Sequence, residues 1–125
     1  MTIFGRTTWA IAGGRIPLRS TGPEPELTSR DELLLLNAGD DEAHVELTIY
    51  YADRDPRGPY RLVIEARRVR CVRFNDLIDP EAMPLGTDYG VVVTSDVPVV
   101  VQFARVDTSQ SALALMGTIA FAADQ

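Results

Sequence analysis

The chain has 125 residues, 46% of them hydrophobic and 24% charged, with a formal net charge of −6; this size and balance fit one globular domain and exclude a mostly disordered chain. No apolar run reaches the roughly 18 residues that a membrane helix needs, and all 12 basic residues are arginine, which excludes a lysine Schiff base and a phosphate-loop lysine. The single histidine and single cysteine exclude a closed zinc site within one chain and an internal disulfide, and the acidic balance argues against nucleic acid as a partner.

Thr7 to Ala12 predicts the first strand, with Trp9 and Ile11 on one face and Gly13-Gly14 closing it. A long connection, 15–30, carries Pro17, Pro23 and Pro25, and the prolines on either side of Glu24 stiffen its loop. The second strand is expected over 32–37 and stops at the turn residues Asn37-Ala38-Gly39-Asp40-Asp41. The third, over 43–52, alternates: Val45, Leu47, Ile49 and Tyr51 face one way, and His44, Glu46, Thr48 and Tyr50 the other. Asp53 to Pro59 is a turn by composition, and Tyr60 to Glu65 is a fourth strand with Tyr60, Leu62 and Ile64 on one side. Arg67 to Asn75 reads as a fifth strand whose Arg67, Arg68, Arg70 and Arg73 suit a sheet edge or a site rim. Asn75 to Pro80 predicts one capped helical turn, and 79–88 a loop rich in proline and glycine. Val91–Val93 and Val97–Val101 predict two strands broken at Ser95-Asp96-Val97-Pro98, the second continuing to Val106. The tail predicts a short irregular or helical stretch near 109–113 and then a strand to about residue 122. About eight strands with turns between them give an all-β fold, an antiparallel β-sandwich of jelly-roll type, as a single domain over 1–125.

Several residues admit both a binding and a structural reading. Trp9 is either a plate for a sugar ring or a core tryptophan. Glu24 is either an acceptor for hydroxyls or a surface carboxylate, and Asn37 either meets a ligand or closes its turn. His44 alone titrates near neutrality, beside Glu46 on the polar face of the third strand. The arginines of the fifth strand bind an anion or pair with the acidic residues. Arg105 and Asp107 share a strand face and suggest an ion pair, and Cys71 reads as an inert buried thiol. The binding reading draws Trp9, Glu24, Asn37, Glu46 and Arg67 into one cleft, with His44 beside it and Arg73, Asn75 and Gln102 near its rim. The corresponding function is a non-enzymatic module that holds a polyhydroxylated or anionic metabolite, without catalytic residues, cofactor or metal. Glu24, His44 and Glu46 are the only sensible acid–base set, and no nucleophile accompanies them. The segment Met1 to Arg6 has no basic region followed by a long apolar one, so the cytoplasm is the expected compartment.

The blocks Gly5-Arg6-Thr7-Thr8-Trp9-Ala10-Ile11-Ala12, Gly22-Pro23-Glu24-Pro25, LNAGDDEAHVELTIYY, Gly58-Pro59-Tyr60-Arg61, Ala66-Arg67-Arg68, Val72-Arg73-Phe74-Asn75-Asp76-Leu77 and Val97-Pro98-Val99-Val100-Val101-Gln102 occur in this order over nearly the whole chain. Together they resemble the sensory rhodopsin transducer family. The resemblance implies a soluble cytoplasmic β-sandwich that forms a homotetramer. It also implies either a small-molecule sensor, with a sugar or related metabolite as ligand, or an adaptor that binds the cytoplasmic face of a microbial sensory rhodopsin and relays its signal. Cys71 and Phe103 stand where other members can carry histidine, so this chain has fewer imidazoles for metal or acid–base work.

Overall fold

In the computed structural model, which describes residues 2–110 and 114–123, the alternating segments form strands β1 (Arg6–Arg15), β2 (Arg30–Asn37), β3 (Ala43–Tyr51), β4 (Arg57–Ile64), β5 (Arg68–Arg73), β6 (Asp88–Asp107), β7 (Ala114–Ile119) and β8 (Phe121–Ala122). The pairings are antiparallel. One layer runs β4-β3-β6-β1-β8; the other runs β5-β2-β6-β7, so β5 is the edge strand its arginines suggested. Both layers turn their apolar faces onto one core. Trp9, Ile11, Val45, Leu47, Ile49, Tyr60, Leu62, Val91 and Val93 from the first meet Leu33, Leu35, Val72, Val101 and Phe103 from the second. Phe74 packs at tilted angles on Tyr89, with ring centres 5.3 Å apart, and on Phe103 at 6.2 Å. The result is the all-β antiparallel sandwich expected from the period-two pattern.

The structure corrects that reading most clearly at β6. Two strands broken at Ser95–Pro98 are expected; one strand of 20 residues is found. Its first part pairs with β1 and β3, and its last part with β2 and β7. The turn-like residues form a bulge at the changeover: Thr8 lies opposite Thr94 and Arg6 opposite Val99, so residues 95–98 are looped out against β1. Pro98 lacks an amide hydrogen and is tolerated there because neither neighbour needs its donor.

Other differences are local. β4 starts at Arg57, inside the expected turn, and its register with β3 shifts between Leu47 and Ile49. The expected capped helical turn is a 3-10 turn over Phe74–Asp76 without a side-chain cap. The tail does form strands, as two short pieces, β7 and β8. Most of the irregular or helical stretch expected near 109–113 lies outside the described residues. Among the described residues no helix is long and apolar enough to cross a membrane.

Candidate functional site

The nine residues expected to surround one cleft are distributed over four places, so the single cleft is corrected. Trp9 is only 7% exposed, with its ring in the core. Its Nε1 donates to the carbonyls of Val99 at 2.9 Å and Arg6 at 3.1 Å, which ties β1 to β6 at the changeover. In the sheet register Trp9 lies beside Val93 and Leu47, whereas Glu46 lies beside Thr94 and Thr8. Direct neighbours share a face and successive residues alternate, so Trp9 and Glu46 are on opposite faces. Gln102 is on the exposed outer face of the other layer, opposite Leu34.

Arg73 and Asn75 fasten the proline-rich connection. Arg73 Nη1 donates to the Pro25 carbonyl at 3.1 Å, next to the exposed Glu24, and Asn75 Nδ2 donates to Ser29 at 3.0 Å. Arg73 and Asn75 therefore hold the connection that carries Glu24, through the Pro25 and Ser29 carbonyls.

Asn37, His44, Glu46 and Arg67 lie toward the end of the sandwich that carries the 38–42 turn and the 95–98 bulge, Asn37 and Arg67 in one hollow and His44 and Glu46 in another. The buried Asn37 is the hub of the turn. Its Nδ2 donates to the carbonyls of Asp41, Ile64 and Glu65, and its Oδ1 accepts from the Gly39 amide at 3.1 Å. Arg67 has φ 57°, in the left-handed region. Its amide donates to Gly39 at 3.1 Å and its guanidinium meets Asp40 at 2.7 Å. The turn is thus fixed from below by an amide side chain and from one side by an arginine.

Two hollows flank the bulge. One is a groove of about 500 Å³ between His44, Glu46, Arg61, Leu62, Thr94 and Asp96. Within it His44 lies between two carboxylates, with Nδ1 2.8 Å from Asp96 and Nε2 3.0 Å from Glu42. Asp96 also accepts the His44 amide at 2.8 Å. The hydrogen bond to Asp96, then the charges of Asp96 and Glu42, raise His44 above the usual histidine value. The amide and ring bonds from His44 lower Asp96 in turn. Glu46 pairs with Arg61 at 3.1 Å. The other hollow, of about 520 Å³, lies between Phe4, Ile3, Asn37, Arg67, Val97 and Pro98, with Asp40 and Asp41 on its border. Gly5 shapes it. At φ +97°, an added Cβ would lie 2.1 Å from the Val99 carbonyl oxygen, so only glycine lets the N-terminal segment cross against β6 and bring Ile3 and Phe4 over Val97 and Pro98.

Sequence reasoning missed three contributors. Asp96, read as part of a strand break, is the main partner of His44. Arg61 faces Glu46 because β4 follows β3 with a fixed register, a pairing visible only once the hairpin is known. Asp31, fully buried, accepts from the Arg15 amide at 2.8 Å, the Tyr89 hydroxyl at 2.7 Å and Arg105 Nε at 2.8 Å. Arg105 thus pairs with Asp31, correcting the expected pair with Asp107. Burial, then the charge and bond of Asp31, push the Tyr89 hydroxyl far up, so it stays a donor. Cys71 is corrected as well: it is exposed on β5 and donates to Glu32 at 2.8 Å, and burial of the sulfur together with that carboxylate pushes the thiol up to about 11. It is a poor nucleophile at neutral pH.

Among the described residues no group of three or more histidine, cysteine, aspartate or glutamate side chains is placed to hold a metal. This acidic end of the sandwich carries two hollows, each lined by polar and apolar side chains together.

Comparison with known proteins gives a concordant picture. The family model of the Anabaena sensory rhodopsin transducer matches residues 4–122. The solved structure of the Anabaena sensory rhodopsin transducer is 54% identical, with a TM-score of 0.75, over 82% of this chain and 99% of that one. A Thermotoga maritima protein, 1070, is 28% identical with a TM-score of 0.81, over 95% of this chain and 96% of its own. No curated protein matches the sequence.

Proposed function

The chain belongs to the Anabaena sensory rhodopsin transducer family, and on that premise we propose that it is a non-enzymatic signalling adaptor that docks on the cytoplasmic face of a membrane photoreceptor and relays its state. The observation that carries the reading is the 54% identity to the Anabaena transducer over 99% of that chain. Charge supports it: the net charge is −6, and the cytoplasmic loops of membrane proteins carry an excess of lysine and arginine. The adaptor acts in the cytoplasm and works as a homo-oligomer, a tetramer. Exposed Phe121 and Tyr50, with Ala10, Ala12 and Val92 between them, give one outer sheet face an apolar surface for subunit pairing.

Binding of a sugar or related metabolite is the second reading. The observation in its favour is the polar groove of His44, Glu46 and Arg61. It has less support, because the aromatic plate it requires, Trp9, is in the core.

The test of the adaptor is titration of the protein against Anabaena sensory rhodopsin in lipid nanodiscs, followed by calorimetry. Saturable binding with a Kd of about 10 μM or tighter, roughly 7 kcal/mol, is the expected outcome. Absence of binding to that receptor would overturn the proposal as stated.

A further inference from the structure

β5 is the edge of its layer. It pairs with β2 alone, and among the described residues no strand lies on its other side. An open edge is a row of backbone donors and acceptors that another chain can complete. Three arginines on this edge bond only to carbonyls. Arg68 Nη1 donates to Arg67 at 3.1 Å, Arg70 Nη1 to Val63 at 2.8 Å and Arg73 Nη1 to Pro25 at 3.1 Å. Among the described residues none of the three is in an ion pair, whereas Arg67 beside them holds Asp40. Glu32, opposite Arg73 in the register, bonds Arg30 at 2.7 Å instead. In a chain with a net charge of −6, this edge is a strip of positive charge without carboxylate partners.

The register sets what an added strand would meet. Arg68 and Arg70 lie opposite Asn37 and Leu35, on the core side of β2. Both are exposed, because the sandwich is open here, and Arg70 reaches across the opening to β4. Val69 is on the outer face, 69% exposed, opposite Leu36, which is 41% exposed, with Val100 next in the row. One alternate set of side chains on an added strand would therefore face two guanidiniums, and the other set an apolar row. A second copy of β5 does not fit, since it would bring arginines against arginines. Nucleic acid would leave the backbone edge and the apolar row unused, and the net charge repels it.

We propose that β5 is a docking edge for an extended acidic segment of a protein partner, which adds to the sheet as a strand with carboxylates toward Arg68 and Arg70 and an apolar side chain beside Val69. This goes beyond the adaptor reading. A basic receptor loop is repelled by this edge, so the occupant is a second partner, and the test needs no receptor.

The probe is a fluorescently labelled peptide of alternating glutamate and valine, about seven residues long so that it spans the edge. Its binding to the full chain at low salt is followed by anisotropy. It should bind more tightly than a peptide of the same composition with its glutamates and valines in two blocks. Methylating one alternate set of peptide nitrogens should weaken it strongly and methylating the other set should not, because a strand offers each edge only every second amide. Arg68→Glu and Arg70→Glu should each weaken it at least about threefold, and together about tenfold, as attraction across strands becomes repulsion. The double variant should instead prefer a peptide with lysine in place of glutamate. Arg54→Glu, the same charge change on the turn before β4, should leave binding within about twofold. Arg68 and Arg70 are exposed, and a thermal melt verifies that the variants are folded. Equal binding of the block peptide, equal effects of the two methylations, or tighter binding of an oligothymidylate of the same charge would overturn the proposal. Absence of binding would overturn it as well, and would leave the arginines as a guard that keeps other chains off the edge.

Discussion

His44 is the residue whose state changes nearest to neutral pH, and its surroundings fix the direction of the effect. Asp96 and Glu42 raise it above its ordinary 6.5. A group with a raised folded value contributes stability that is complete below the unfolded value and is lost as the pH rises through the folded one. The melting temperature of the wild type should therefore fall, relative to His44→Gln, as the pH is raised from about 6.5 upward. With one histidine in the chain, its NMR titration is unambiguous, and Asp96→Asn should move the midpoint down; an unmoved midpoint would show that the Asp96 contact does not persist in solution. At the buried end of the scale, Asp31 accepts from Tyr89, Arg105 and the Arg15 amide at once. Asp31→Ala removes that acceptor and leaves a tyrosine hydroxyl and a guanidinium short of partners. A loss of about 3 kcal/mol in urea unfolding is expected. The sequence shows Asp31 only as one carboxylate in a charged stretch, because its three partners come from residues as distant as Tyr89 and Arg105.

Among the elements, β3 was readable in full, and β6 was not. The faces of β3 separate in the structure as they do in the sequence, with Val45, Leu47 and Ile49 buried and His44, Glu46 and Tyr50 exposed, because an alternating strand declares its own two sides. The Ser95-Asp96-Val97-Pro98 segment has the composition of a turn, and whether such residues end a strand or bulge from it depends on neighbours far away in the chain. The positions named for a single cleft failed to converge for the same reason: side-chain type is local, while the face and the end of the sandwich are set by pairing. The register beyond the bulge can be checked directly. Phe103 is buried and packs on Phe74, while Gln102 is exposed. Phe103→Ala should cost about 3–5 kcal/mol, and Gln102→Ala should stay within about 0.5 kcal/mol. Comparable losses at both positions in urea unfolding would refute the register given to the last part of β6.

For the whole molecule, the net charge of −6 and the acidic turn make association with a basic partner sensitive to salt. Raising the ionic strength from about 0.01 to about 1 M shortens the screening length from about 30 to 3 Å. Receptor binding should weaken over this range mainly through slower association, and stopped-flow traces at several salt concentrations would show it. A tetramer held by the apolar face of Tyr50 and Phe121 should instead keep its mass in light scattering as the salt is raised, since apolar contact does not depend on charge. The sheet order has a further consequence, for synthesis on the ribosome. β1 pairs with β6 and β8 only, and its partners in β6 run from Asp88 to Val99, so the first strand translated waits until that segment is made before it has a neighbour. Until then only the β3–β4 hairpin and the β2–β5 pair can form, one from each layer, and neither has β6 to continue its sheet. The nascent chain therefore carries Trp9 and Ile11 uncovered through most of translation, a stretch of time in which chaperone capture, rather than the stability of the finished sandwich, decides how much protein a cell obtains.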